Sequence, residues 1–383
     1  MCTHSNRKST RRGFFSRFVE SALAAPSILS LAAHRAAWAQ ALPSDPEANL
    51  FKIEKVTDDV YFANARFVPI PNCNAAIFVN ANDVLVVDSH SQPSAAAALL
   101  AQIKREVTGK PVRYLVNSHF HWDHSQGNSA YTQTGHRVEI LATKTTRALM
   151  QQNNAERLKA SLSPAGPSPL SYPWVGHEIE DLRTKIGKSP DAQKPALQKQ
   201  LQVWTSFEAQ MKDWKPTLPT LTFDKAHVIK DKNHELHIQF HGRAHTAGDV
   251  IVFCPSKRVI ASGDVILSSL LPFFGDSYPL QWPTTITMVD KMAFDFVMPG
   301  HGGLQRGHEM LLGMRDYIDE IGTKVSQGKK EGKNVAELQA SLTASSLKTL
   351  QSGAYAKSLF GGGYVQQGVM SNILEMYERV DKG

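Results

Sequence analysis

Between Phe51 and Asp88, apolar residues cluster in short runs with turn residues between them: Val60-Tyr61-Phe62, Asn74-Ala75-Ala76-Ile77-Phe78-Val79 and Val84-Leu85-Val86-Val87. Such runs, rich in β-branched and aromatic residues, predict consecutive strands. The period changes over residues 93–107, where alanines, leucines and Ile103 recur at helical spacing and predict a helix. Arg113-Tyr114-Leu115-Val116 predicts the next strand, residues 138–141 another, and residues 143–151 another helix. Strand and helix therefore alternate through the first half.

From 152 to 219 the texture shifts to a proline cluster (Pro164, Pro167, Pro169, Pro173) and then to lysine- and glutamine-rich helical segments carrying Leu197, Leu201, Trp204 and Phe207. This reads as a helical insertion whose apolar stripe is a packing face, placed beside the mouth of any site that the flanking strands build. Strand signals return at 221–223, 227–229, 236–240, 250–253 and 259–261. After His301 the chain turns helical. Asn334 followed by Glu337 has the pattern of a capping box, and Gly361-Gly362-Gly363 breaks the chain before a last helix over 365–380.

With 383 residues, 42% of them hydrophobic, the chain can bury a large core. The formal charge of +7 raises the question of an acidic partner, and its distribution answers it. Residues 1–39 hold Arg7, Lys8, Arg11, Arg12, Arg17 and Arg35 against Glu20, so 6 − 1 = +5 sits there and 7 − 5 = +2 remains. A body that close to neutral lacks the basic footprint of nucleic-acid binding. The same segment runs Ser9-Thr10-Arg11-Arg12-Gly13-Phe14-Phe15, then moderately apolar residues 22–33, then Ala37-Trp38-Ala39. It resembles a twin-arginine export signal with a small-x-small cleavage site, which predicts a periplasmic or secreted protein. No later run reaches the length of a membrane span. Cys2 falls in the signal, and Cys73 and Cys254, both beside strand-like runs, read as small buried hydrophobes rather than a disulfide.

Chemistry concentrates just after the strand at 113–116, in His119-Phe120-His121-Trp122-Asp123-His124. In a loop leaving a strand, alternate residues point the same way, so His119 and His121 can reach one ion while Asp123 and His124 turn to another. Imidazole and carboxylate together suit zinc, iron or manganese. Three later fragments each offer a ligand at a strand end: His245 in Gly242-Arg243-Ala244-His245, Asp264 in Ser262-Gly263-Asp264, and His301 in Pro299-Gly300-His301-Gly302. Each alone reads as a capping or solvated residue; together they complete two coordination shells.

This ordered set, HxHxDH followed by a histidine, a Gly-Asp and a final histidine, resembles the metallo-β-lactamase superfamily over residues 51–302. The resemblance implies an α/β fold, an αβ/βα four-layer sandwich of two sheets packed face to face with helices outside, followed by a helical extension over 303–383. It also implies two Zn2+ ions, with iron or manganese as alternatives. His119, His121 and His245 would hold the first, Asp123, His124 and His301 the second, and Asp264 would bridge them. Asp88 matches the place of an aspartate that supports the ligand loop, and is read as a partner of the ligands.

The implied activity is hydrolysis of an ester, thioester, lactone or amide bond in a small molecule. Two divalent ions sharing a water lower its pKa from about 15.7 to roughly 7, so no side-chain nucleophile is needed. Asp123 would orient that water while it ligates, which makes it the catalytic candidate. No Gly-x-Ser-x-Gly elbow accompanies the histidines, which sets a serine triad aside. A bridging aspartate is general among glyoxalase II-like thioesterases and lactonases and generally missing from true β-lactamases, so Asp264 points away from β-lactams. A β-lactamase, an iron-containing redox protein and a non-catalytic metal binder stand as the alternatives. Phe120, Trp122, Phe273, Phe274, Trp282 and Tyr364 are equally candidates for a pocket wall and for the core.

Overall fold

All four residues of the strand Val84–Val87 are buried, Leu85 and Val87 on one face, Val84 and Val86 on the other. A strand buried on both faces lies inside a layered fold. The computed structural model describes residues 50–381 apart from 67–69, 71, 166–171 and 360–362. The predicted export segment at 1–39 lies outside the described residues, as do Gly361 and Gly362 of the predicted break.

Seven strands form the first sheet in chain order: β1 (Phe51–Thr57), β2 (Val60–Ala65), β3 (Ala75–Val79), β4 (Val84–Val87), β5 (Val112–Val116), β6 (Glu139–Thr143) and β7 (Leu221–Phe223). Pairing is antiparallel from β1 to β4 and parallel from β4 to β7. The second sheet holds β8 (Ala226–Lys230), β9 (Glu235–Gln239), β10 (Ile251–Cys254), β11 (Val259–Gly263), β12 (Phe296–Pro299) and β13 (Gln305–Arg306), in the order β13-β12-β11-β10-β9-β8. Its β11 and β12 run parallel.

Between the sheets, Phe62, Phe78, Leu85, Val87, Val116 and Leu141 of the first meet Leu236, Ile238, Val252, Val259, Ala261 and Met298 of the second. The alternate residues face outward. Ile77, Val84, Val86, Leu115 and Ile140 pack under α1 (Pro93–Glu106), while Ile251, Ile260 and Val297 pack under the later helices. Helix, sheet, sheet and helix thus make the αβ/βα sandwich expected from the sequence.

Short helices α2 (Trp122–Ser125) and α3 (Asn128–Thr132) follow β5. The helix expected over 143–151 is longer: Thr143 caps α4 (Lys144–Leu162), whose second half continues into the segment expected to be inserted. There α5 (Val175–Lys188) and α6 (Lys194–Met211) join it around Leu158, Ile179, Leu182, Trp204 and Phe207. Beyond β11 come α7 (Trp282–Asp290), α8 (Glu309–Lys330), α9 (Val335–Ser341), α10 (Gly353–Ser358) and α11 (Gly363–Arg379). The capping box is present, Asn334 accepting from the Glu337 backbone and Glu337 accepting from the Asn334 backbone. Among the described residues no helix is long and apolar enough to cross a membrane.

Leu85 is fully buried between the sheets, so Leu85→Ala should cost about 2–5 kcal/mol through lost transfer energy and the cavity left behind. A denaturant titration checks this; an unchanged midpoint would contradict the inter-sheet placement.

Candidate metal centre

The site forms where loops from both sheets meet at one edge. Asp88 follows β4, His119 to His124 follow β5, His245 lies between β9 and β10, Asp264 follows β11 and His301 follows β12. Backbone bonds tie these loops across the sheets: Val250 N donates to Ser118 O at 2.8 Å, Gly300 N to Gly263 O at 2.8 Å, and Asn74 N to Gly300 O at 2.7 Å. The Asn74 amide adds bonds to Pro299 O at 3.0 Å and Gly302 O at 2.8 Å. The fit is tight enough to demand glycine. A Cβ on Gly263, whose φ is +49°, would strike Ser118 Oγ, and one on Gly300 would strike Asp264 Oδ1.

Hydrogen bonds on the outer side fix which ring nitrogens face inward. The Asp88 carboxylate accepts from Ser118 N at 2.7 Å, Ser118 Oγ at 2.8 Å and His124 Nδ1 at 2.8 Å. Since the Ser118 hydroxyl proton goes to Asp88, its oxygen accepts from His119 Nδ1 at 3.0 Å. His119 Nε2 is then a bare acceptor, and it is buried with no hydrogen-bond partner. His121 Nε2 donates to Asp276 Oδ2 at 2.9 Å, which leaves Nδ1 as an acceptor, 2.8 Å from His245 Nε2. His124 Nε2 likewise faces His301 Nε2 at 3.2 Å and Asp264 Oδ1 at 3.4 Å. A carboxylate or hydroxyl behind a histidine that selects its tautomer is the usual support of a metal ligand.

Among the described residues the possible ligand atoms form overlapping groups, which include Cys73 with Asp88 and His124, and His119 with His124 and Asp264. Ligand atoms of His119, His121 and His245 lie within 4.8 Å of one another, as do those of Asp123, His124 and His301. Asp264 stands between the sets. Its Oδ2 is 3.4 Å from His245 Nε2 and 3.6 Å from His301 Nε2, and its buried Oδ1 makes no hydrogen bond. Burial and then the neighbouring imidazoles hold His119 and His245 well below the ordinary imidazole range, so both stay neutral and able to ligate. In the other set burial also opposes charge, but acidic neighbours outweigh it. Cys73, Asp264, Asp88 and Asp123 hold His124 well above its ordinary range, and Asp264 and Asp123 raise His301. Asp123, against its burial, is held below the carboxylate range by His124 and His301. Neutral rings aimed at one point, beside a pocket whose field favours positive charge, fit a pair of divalent cations.

In one respect the local geometry differs from expectation. Asp123 and His124 stand on a helical turn, α2, with His121 as its extended N-cap, so helical rotation rather than strand alternation separates their directions. Of the aromatic candidates, Trp122 packs with α4, α5 and α6, Phe274 lies in the core beneath the second sheet, and Trp282 lies in that core with its ring 5.5 Å from His245. Half-buried Phe273 stands beside the site, its ring 6.1 Å from His121 and 6.3 Å from His245, and buried Phe120 lies 4.7 Å from His121. Tyr364 is half-buried on α11.

Cys73 and Cys254 are both free and buried. Cys73 Sγ lies 3.5 Å from His90 Nδ1, and burial pulls His90 down to about 3. Asp276, Arg157, Asn74 and Ser118 are the supporting residues that the sequence reading did not single out. No motif surrounds the first two, which meet only in the folded chain.

A model of the Metallo-beta-lactamase superfamily matches residues 69–308. The linear primary-alkylsulfatase of Pseudomonas sp. (strain ATCC 19151) is 23% identical over 272 residues, which cover 67% of this chain and 47% of that protein. The metallo-beta-lactamase type 2 of Elizabethkingia meningoseptica is 30% identical over 95 residues, 24% of this chain and 38% of its own length. The chain thus spans about half or less of the curated relatives it matches. Among solved structures, a metallo-beta-lactamase from Pontibacter korlensis superposes with a TM-score of 0.50 at 16% identity, over 70% of this chain and 99% of its own. Matched by that family model over more than half its length, the chain belongs to the metallo-beta-lactamase superfamily.

Proposed function

We propose that the chain is a dinuclear metal-dependent hydrolase of small molecules, with zinc as the metal. The observation that supports it is the convergence of inward-facing ring nitrogens, His119 Nε2, His121 Nδ1 and His124 Nε2, with the side chains behind them fixing that orientation. His119, His121 and His245 would hold one ion, Asp123, His124 and His301 the other, and Asp264 both. When bound, such a pair supplies an activated water and a Lewis acid for the scissile group.

The residues divide the remaining work. Asp123 and His301 are the more exposed of the ligand set, with side chains 12% and 18% accessible. Asp123 Oδ2 lies 3.0 Å from His301 Nε2, and at this more open side of the site Asp123 would orient the attacking water. Phe120 and Phe273 wall the side of His121 and His245, excluding bulk water and offering an apolar surface to the acyl or alkyl part of a substrate. The substrate is an ester, thioester, lactone or amide. The match to an alkylsulfatase adds a sulfate ester, and the shorter match to a metallo-beta-lactamase keeps a β-lactam among the substrates to test. Export through the twin-arginine-like segment at 1–39 is part of the same proposal, checked by the N-terminus of the protein recovered from a cell fraction.

The chain from Gln40 onward, with metals quantified by mass spectrometry, should carry about two zinc ions and turn over at least one of a thioester, a lactone, an aryl ester, an alkyl or aryl sulfate and a chromogenic cephalosporin. Removing the metal with a chelator should abolish that turnover and zinc should restore it. Iron with no hydrolysis would instead favour the redox alternative. Asp123→Ala should lose one metal and most turnover, and full activity in that variant would refute its assignment. Asp88→Ala strands the Ser118 N–H, the Ser118 hydroxyl and His124 Nδ1. With roughly 1–3 kcal/mol lost for a buried group left unpaired, its thermal midpoint should fall clearly; an unaltered melt would show that Asp88 is not the support described.

A further inference from the structure

His121 differs from the other ligands in what stands behind it. His119 is held by Ser118, its sequence neighbour, and His124 by Asp88 at the end of an adjacent strand. His121 is held by Asp276, which lies in the irregular segment between β11 and α7. That carboxylate is in turn gripped by Arg157 of α4, Nη1 to Oδ2 at 2.6 Å and Nη2 to Oδ1 at 2.8 Å. Both side chains are largely buried, 12% and 18% accessible. A two-pronged guanidinium fixes the plane of a carboxylate as well as its position, and the plane of Asp276 sets where its second lone pair meets the imidazole.

Arg157 does not act alone on that face of α4. One turn earlier Asn154 donates to Phe120 O at 3.0 Å and to Ser125 Oγ at 3.1 Å, and the Arg157 guanidinium lies 5.3 Å over the Phe120 ring. Residues three apart share a helix face, so a single face of α4 holds the backbone before His121 at Phe120 O, the Ser125 hydroxyl after it and, through Asp276, the His121 ring. The Asp276 carboxyl, despite its burial, stays below the ordinary carboxylate range because His121 and Arg157 both donate to it.

We propose that Asp276 and Arg157 are positioning residues for the first metal position: by way of His121 they let α4 set how tightly that position binds its ion. The proposal rests on the dinuclear reading above. It assigns a task to the long helix that leads into the inserted segment, which no ligand occupies. The binding strength of one metal position is tied to the packing of α4 against the loop that carries Asp276, while the other position, backed by Asp88, is independent of it.

The test uses the full chain without substrate and with zinc alone, measuring each of the two affinities by competition against a chromophoric chelator. Asp276→Ala should weaken one zinc by about 10–100-fold, the usual effect of removing the partner of a ligating histidine, and leave the other unchanged. Asp276→Asn, whose amide oxygen still accepts from His121 Nε2 but whose NH2 cannot accept from Arg157, should recover part of the loss. Arg157→Met, which keeps the carboxylate but frees its plane, should weaken the same zinc less than Asp276→Ala. Equal weakening of both ions with no rescue by Asn would mean a general structural role, and unchanged affinities in Asp276→Ala would mean no role; either overturns the proposal. Two tight zinc ions in the unaltered chain beside either result would leave the dinuclear reading standing, whereas no zinc in the unaltered chain would remove both.

Discussion

A histidine whose outer nitrogen is committed to an acceptor has one lone pair left, and its direction is then fixed by the backbone. That constraint organises this protein's site. Ser118, Asp276 and Asp88 take the outer protons of His119, His121 and His124, so the remaining nitrogens face one another and the carboxylates of Asp123 and Asp264. Buried polar groups brought this close carry a desolvation cost that a shared cation offsets. Everything else in the neighbourhood serves that alignment, from the glycines at 263 and 300 to the Asn74 amide that binds the His301 loop.

The sandwich supplies the rigidity that the alignment requires. Two sheets buried against each other and covered by helices end at a common edge, and the loops leaving that edge are cross-linked by backbone bonds. Hydrogen bonds behind the candidate ligands fix their orientation, the kind of preorganisation that electrostatic catalysis draws on. Variation is then confined to what surrounds the edge. In this chain that is the helical segment running from α4 to α6, one helix of which grips the ligand loop through Asn154 and Arg157.

Legibility in the sequence followed the range of the interaction. Central strands such as β3 and β4 showed because both their faces are buried and apolar, and the capping box at Asn334 because it is local. HxHxDH showed for the same reason, its members lying within six consecutive residues. His245, Asp264 and His301 could be read only as an ordered set, since a histidine or a Gly-Asp at a turn has many ordinary uses. Asp88 came through the family resemblance. Asp276 and Arg157 left no trace, being 119 residues apart and paired by the fold alone. Residues 152–162 belong to the same helix as residues 144–151, although their polar composition suggested a boundary. Aromatic residues next to the candidate ligands were readable as pocket wall or as core alike: Trp122 adjoins Asp123 in sequence and packs away from the site, while Phe120 lies 4.7 Å from His121.

The most direct test is to crystallise the chain with zinc and collect diffraction on both sides of the zinc absorption edge. The account predicts two anomalous peaks, one among His119, His121 and His245 and one among Asp123, His124 and His301, with Asp264 reaching both. A single peak elsewhere, or none among these side chains, would contradict it.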